Sequence, residues 1–133
     1  MFFLVLRAFT ELVRFGPYIS RRDFIALYER VRNSPVRASC RQSCESVCRA
    51  MDIACIWYWK HALCLQRSAA TACLLRRCGI RAQMVIAAQR IPFKAHAWVE
   101  VEGRVVNDKP SVKDMYMVLD KCGSASTTAG ESS

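Results

Sequence analysis

The sequence predicts an α+β fold, because the spacing of its apolar residues changes once, at Gly79. Before Gly79, apolar residues recur every three or four positions, as on one face of a helix. After it, apolar and polar residues alternate over short stretches, as in half-buried strands. Helices followed by a meander of strands are typical of an α+β domain, and 133 residues are enough for one hydrophobic core.

Two amphipathic helices are predicted in the first 38 residues. The first covers residues 2–15 and is expected to end at Gly16, because the proline that follows lacks the N–H that a helix interior needs. Ser20 is predicted to cap the second helix, which ends near Asn33. We expect the first helix to pack on the core; docking on a partner protein or on a membrane face is the alternative.

Two further helices are predicted before Gly79. One covers residues 39–58, and an aromatic cluster at residues 57–61 separates it from the next. The other covers residues 64–78, with Arg76 and Arg77 in its last turn, where cations suit the helix dipole. Gly79 is predicted to be its C-cap, because glycine readily adopts the left-handed backbone of that position.

A small antiparallel sheet is predicted after Gly79. Its strands are expected at residues 80–88, 95–101 and 104–107. Residues 102–103, Glu-Gly, form a tight turn between the second and third strands. Residues 114–119 are expected to close the fold as a short strand or helix.

The chain is therefore divided into three parts. They are N-terminal helices at residues 1–38, an α+β core at residues 39–122, and a tail at residues 123–133. The tail is rich in Gly, Ser, Thr and Ala, so it is predicted to be disordered.

Composition and charge limit the class of function. The chain has 20 Lys and Arg residues against 11 Asp and Glu residues, a net charge of +9 that is spread along the sequence. No aromatic residues are interleaved among clustered cations, so the sequence does not favour nucleic-acid binding. It favours a solvated basic surface or an acidic peptide partner. No apolar run approaches the roughly 20 residues that a membrane span needs.

The eight cysteines are predicted to be reduced thiols of a cytoplasmic protein. The opening residues are apolar but lack the basic start and cleavage site of a secretory signal, so an extracellular disulfide framework is not expected. Cys40, Cys44 and Cys48 lie along one face of a helix, and we interpret them as buried side chains. Zinc ligands usually come from separate elements, so no metal is predicted, and no other cofactor either.

His96 and Asp108 form a candidate catalytic pair. Strand alternation puts His96, Trp98 and Glu100 on one face of the second predicted strand. Counted outward from the turn, positions 97 and 108 oppose each other, so Asp108 lies diagonal to His96 and reaches it if the strand bends. A carboxylate there would fix the tautomer of His96 and leave the other ring nitrogen for a nucleophile.

Cys64 is predicted to be the nucleophile, because it opens the fourth predicted helix. A helix N-terminus and a nearby imidazolium both stabilise a thiolate. The other seven cysteines lie within helices, at helix ends or outside the core, where burial raises the pKa of a thiol. The structural alternative is that His96 is a hydrogen-bonded core histidine and Asp108 a turn residue.

Four stretches of sequence also carry a resemblance to a known family. They are Cys64-Leu-Gln-Arg-Ser-Ala-Ala, Leu74-Leu-Arg-Arg-Cys-Gly-Ile80, Ala95-His-Ala-Trp-Val-Glu100 and Gly103-Arg-Val-Val-Asn-Asp108. Together they resemble the transglutaminase-like cysteine peptidases of lasso peptide biosynthesis, the B proteins, and the resemblance runs from Trp57 to Leu119. It implies a papain/transglutaminase-like core, in which the catalytic helix packs on a small antiparallel sheet.

The resemblance implies that the protein is a leader peptidase. Cys64 attacks the last carbonyl of the leader peptide, His96 acts first as base and then as acid, and Asp108 orients His96. The core peptide leaves with a new amino terminus, from which an ATP-dependent cyclase closes the macrolactam. The family also uses a leader-recognition domain, which is expected to be a separate protein here because the residues before 57 read as helices.

Further candidates and two alternative functions accompany this prediction. Trp59 and Trp98 are candidates for contact with the substrate or the oxyanion, since the site needs donors near the developing charge. His61 is a second candidate base. One alternative is a transglutaminase-type acyltransferase that uses the same three residues; the other is a non-catalytic scaffold of a peptide-modifying complex.

Overall fold

The computed structural model describes residues 2–36, 43–58, 64–89, 94–108, 112 and 116–122. Within these residues, four helices precede four strands, which confirms the predicted α+β order. The helices are α1 (Phe2–Ser20), α2 (Phe24–Arg32), α3 (Cys44–Trp57) and α4 (Cys64–Arg77). The strands are β1 (Ala82–Gln89), β2 (Lys94–Val101), β3 (Arg104–Val105) and β4 (Met117–Cys122). The predictions for Cys40, Trp59, His61 and the tail at 123–133 concern residues outside this description.

The four strands form one antiparallel sheet in the order β3-β2-β1-β4. β1 and β2 pair along their full lengths, and Ala87 lies opposite His96. Between β2 and β3 the chain turns at Glu102 and Gly103, whose φ angles of 53° and 79° are those of a tight hairpin turn. The predicted turn is therefore confirmed, although β3 contains only two residues.

The main core lies between the helices and one face of the sheet. α1, α3 and α4 contact one another, and their buried side chains meet Met84 of β1 and Val99 of β2. The opposite face of the sheet carries a second, smaller cluster, whose buried members are Val85, Ala87, Trp98 and Val112. The sheet thus has an apolar layer on each side.

α1 continues through Gly16 and Pro17, so the predicted helix end at Gly16 is wrong. A proline in a helix interior costs about 3 kcal/mol, because it removes a hydrogen bond and crowds the preceding turn. Here Leu12 and Phe15 are fully buried just before the proline, and Ile19 packs against the same core just after it. Burial on both sides of Pro17 offsets the local cost, which the sequence pattern alone does not show.

Gln66 connects α1 to the first turns of α4. Its Nε2 donates hydrogen bonds to the Leu12 carbonyl oxygen at 2.8 Å and to the Tyr58 hydroxyl at 2.9 Å. At Gly16, a β-carbon would lie 3.2 Å from that hydroxyl, so the absence of a side chain lets α1 approach closely. The predicted packing of the first helix on the core is confirmed. No helix among the described residues is long and apolar enough to cross a membrane.

The ends of α2 and α4 differ in how well the sequence predicts them. Ser20 is the last residue of α1 and does not cap α2, so that prediction is wrong; the side chain of Asp23 caps it instead. Gly79 does end α4 as predicted, with a φ of 80°. The Ile80 N–H donates to the Leu75 carbonyl at 3.0 Å, which completes a common C-terminal capping motif.

Glu11 of α1 and Arg77 of α4 form an ion pair that joins the two helices. Arg77 Nε lies 3.0 Å from Glu11 Oε2, and the Glu11 side chain is only 5% exposed. Arg77→Met is expected to lower the free energy of unfolding by about 2 kcal/mol, because among the described residues the buried carboxylate then keeps only a longer contact of 3.7 Å, with Arg14. Urea unfolding measures this loss. The double variant Glu11→Gln/Arg77→Met is expected to be more stable than Arg77→Met, because it no longer buries an unpaired carboxylate. A lower free energy of unfolding in the double variant than in Arg77→Met would contradict this explanation.

Candidate active site

His96 and Asp108 are in direct contact. His96 Nε2 lies 2.7 Å from Asp108 Oδ2, and the two side chains are 22% and 30% exposed. Because a carboxylate accepts a hydrogen bond at Nε2, the neutral imidazole carries its proton there, and Nδ1 keeps a lone pair that can accept a proton. The structure thus brings this pair together at a position that solvent and ligands can reach.

The early end of β3 brings Asp108 to His96. Val106 directly follows the last residue of β3, and its N–H donates to the Val99 carbonyl at 3.0 Å. The strand pairing that was counted from the turn therefore holds as far as Val106. There the Asn107 side-chain oxygen accepts the Val99 N–H at 2.8 Å, in the place of a backbone carbonyl. The chain therefore leaves the ladder, and this supplies the bend that the diagonal contact needs.

Two aromatic rings lie beside His96. The ring centroid of Tyr116 is 5.1 Å from that of the imidazole, with 33° between the planes, and that of Trp98 is 5.9 Å away. Trp98 is fully buried and its Nε1–H donates to Glu100 Oε2 at 3.0 Å, so its position does not favour a contact with substrate. Sequence reasoning missed Tyr116, because no spacing pattern relates it to His96.

Cys64 is the first residue of α4, and it is exposed. The free N–H groups at a helix N-terminus carry partial positive charge, which stabilises a thiolate. One turn further along α4, the Ser68 hydroxyl donates a hydrogen bond of 3.0 Å to the Ala97 carbonyl, next to His96. α4 is therefore fixed to β2 beside the histidine. In the described part of the chain, no hydrogen bond joins the Cys64 thiol to His96.

A helix that begins at an exposed cysteine, packed against a strand that carries a carboxylate-bound histidine, is an arrangement suited to acyl transfer. Comparison with protein families agrees with it. The family model described as the transglutaminase-like superfamily matches residues 6–120. The chain belongs to the transglutaminase-like superfamily. This superfamily includes cysteine peptidases and acyltransferases, and the match confirms the predicted transglutaminase-like fold class.

Part of this transglutaminase-like protein is also similar in sequence to a curated relative. The microcin J25-processing protein McjB of Escherichia coli is 41% identical over 56 residues. The matched segment is 42% of this chain and spans 27% of the length of that relative. No solved structure matches the chain significantly.

Four other thiols of this transglutaminase-like protein are less accessible to solvent than the exposed thiol of Cys64. Burial raises the pKa of Cys44, Cys55 and Cys73, and it raises the pKa of Cys48 to about 12. These thiols are therefore poor nucleophiles near neutral pH, as the sequence predicts for cysteines within helices. Cys44 and Cys48 are only half-buried, however, so the prediction that they are buried side chains is wrong for both, because this side of α3 lines an open pocket. Among the described residues, no group of three or more His, Cys, Asp or Glu side chains is placed to hold a metal ion.

Iodoacetamide is expected to alkylate Cys64 before the half-buried thiol of Cys48 and the buried thiol of Cys73 in the folded protein. Near neutral pH, Cys48 and Cys73 are expected to be modified at least about tenfold more slowly, because burial disfavours their thiolates and limits access to them. Mass spectrometry of tryptic peptides measures the modified fraction at each site. In urea-unfolded protein the rates are expected to become similar. Faster modification of Cys48 than of Cys64 in the folded protein would contradict the assignment of an accessible thiol at the start of α4.

Proposed function

We propose that this protein is a cysteine peptidase that removes the leader peptide from a lasso peptide precursor. The observation that carries the proposal is the 2.7 Å contact between His96 Nε2 and Asp108, because an imidazole whose Nε2 is bound to a carboxylate has a lone pair on Nδ1 and is suited to act as a general base. Cys64, at the start of α4, supplies the nucleophile. Membership of the superfamily and the similarity to a microcin-processing protein support a peptide as the substrate.

The proposed reaction has two steps that share one base. His96 Nδ1 takes the proton of the Cys64 thiol, and the sulfur attacks the last carbonyl of the leader. Backbone N–H groups at the start of α4 are available to stabilise the oxyanion that forms. As the carbon–nitrogen bond breaks, His96 returns the proton to the leaving amine, and the core peptide departs with a new amino terminus. The leader stays on Cys64 as a thioester until water, deprotonated by His96, hydrolyses that bond.

The proposal includes partner proteins. The precursor peptide is the substrate, and a separate leader-recognition protein delivers it to the peptidase. An ATP-dependent macrolactam cyclase then uses the amino terminus that cleavage exposes. The net charge of +9 supports an acidic segment in one of these partners, because opposite charges steer association.

The test incubates the full chain with the matching precursor and its leader-recognition protein, and records intact masses. A peptidase is expected to give two fragments whose summed mass is that of the precursor plus one water. A leader fragment joined to an added amine, with no water gained, would show a transglutaminase-type acyltransferase instead. An intact precursor, with the protein folded and its partner bound, would contradict the proposal and favour the scaffold.

A further inference from the structure

We infer that Ser68 and Asn107 form a clamp that positions the catalytic residues, an inference that rests on the proposed function. The Ser68 hydroxyl donates to the Ala97 carbonyl at 3.0 Å and accepts a hydrogen bond of 3.3 Å from Asn107 Nδ2. The Asn107 side-chain oxygen in turn accepts the Val99 N–H at 2.8 Å. Three parts of the chain, α4, β2 and the segment after β3, are therefore joined by two side chains.

Each anchor of the Ser68–Asn107 clamp lies next to a catalytic residue. Ser68 comes one helical turn after Cys64, on the same face of α4. The carbonyl that Ser68 binds directly follows His96 in β2. Asn107 directly precedes Asp108. The clamp therefore fixes the relative positions of three segments whose catalytic side chains must act on one carbonyl carbon.

Burial makes this arrangement specific. Ser68 is only 1% exposed, so bulk solvent does not reach its side chain to replace a lost protein partner. A buried polar group without a partner is costly, and the clamp therefore favours one geometry over its neighbours. Misplacement of a reacting group by about 1 Å can lower an enzymatic rate by about 100-fold. Ser68 and Asn107 are thus positioning residues, which do not themselves touch the substrate.

Alkylation of Cys64 by iodoacetamide tests the clamp without a peptide substrate. The rate in the full chain is measured by peptide mass spectrometry between about pH 6 and pH 9.5. An assisted thiol reacts at the lower pH, where an ordinary thiol with a pKa near 8.5 is almost fully protonated. Ser68→Ala and Asn107→Ala are each expected to slow alkylation at about pH 6 by at least about tenfold, with less than about a twofold change at pH 9.5.

Thr71→Val is the matched control for the clamp variants. It removes a buried hydroxyl from the same helix, and that hydroxyl is bonded within the helix, to the Arg67 carbonyl at 2.7 Å. Its alkylation profile is expected to follow that of the wild-type protein. Thermal unfolding midpoints are recorded for all variants at both pH values, and only variants that are fully folded at the assay temperature are compared, because an unfolded chain would also lose assisted reactivity at pH 6. If Ser68→Ala does not fold, the more exposed Asn107→Ala decides the question.

The outcomes separate the clamp from the proposed function. If the folded clamp variants alkylate Cys64 at pH 6 as fast as the wild-type protein does, the clamp is overturned and the proposed function is left intact. Equal slowing at both pH values would also overturn it, since that result indicates altered access to the thiol. If wild-type Cys64 reacts at pH 6 no faster than Cys64 in His96→Ala, both the clamp and the proposed function are overturned.

Discussion

Cys64→Ala is expected to lower the rate of leader removal by at least about 10⁴-fold, the largest effect of any single substitution in this chain. Without the sulfur no thioester forms, and the imidazole of His96 has no attached nucleophile to activate. The N–H groups at the start of α4 remain, so the variant still binds the precursor carbonyl but does not cleave the bond. Quantitative mass spectrometry of the released core peptide, with the leader-recognition protein in excess, measures the rate.

Cys55→Ala is the matched control for this experiment. Cys55 is a half-buried thiol of α3 whose pKa is raised by burial, so its removal is expected to change the cleavage rate by less than about twofold. Binding of the precursor by Cys64→Ala is measured in parallel, to separate loss of chemistry from loss of folding. Cleavage by Cys64→Ala at the rate of Cys55→Ala would contradict the assignment of the nucleophile.

His96→Ala is expected to lower the cleavage rate near pH 7 by about 10³-fold. In the proposed reaction, the substitution removes both the proton acceptor for the thiol and the proton donor for the leaving amine. Because hydroxide ionises a thiol without help, the deficit is expected to shrink as the pH is raised toward about 9. Asp108→Ala is expected to lower the cleavage rate by about 100-fold, less than His96→Ala, since in the proposed reaction Asp108 orients the imidazole that it contacts and moves no proton itself.

Gln83→Ala provides the control for His96→Ala. Gln83 is half-buried and lies opposite Glu100, on the face of the sheet that also carries His96, but two rows away. Removal of this polar side chain is expected to leave the cleavage rate and its pH dependence unchanged. If His96→Ala cleaves as fast as Gln83→Ala, or if its loss of cleavage rate does not change with pH, the proposed role of His96 as a base is contradicted.

The sequence predicts those features whose cause is local. Gly79 and Gly103 adopt left-handed backbone conformations, and because glycine favours such positions, these two residues mark a helix end and a hairpin turn in the sequence itself. Once the turn is fixed, counting along the strands places Asp108 close to His96. The start of α4 at Cys64 likewise agrees with the pattern of apolar residues.

Features that depend on distant contacts could not be predicted from the same patterns. The continuation of α1 past Pro17 depends on burial of Phe15 against residues far along the chain. Tyr116 reaches His96 only because β4 pairs with β1, a pairing that no local signal specifies. The bond between Ser68 and Asn107 joins residues 39 positions apart, and no spacing pattern in the sequence relates the two. Such polar contacts follow from the packing of α4 on the sheet.

The hydrogen bond from Gln66 to the Leu12 carbonyl couples the position of α1 to that of α4. We therefore expect the sequences of these two helices to evolve together. A first helix from a distant relative that carried a side chain at position 16 would press on the Tyr58 hydroxyl, which shares the Gln66 amide with the Leu12 carbonyl. Such an exchange would also change the packing around Phe15. Because α4 also begins with Cys64, the proposed nucleophile, substitutions in α1 are expected to be selected together with those in α4. Recombination between relatives should therefore be disfavoured between residues 20 and 64, where it would separate α1 from α4.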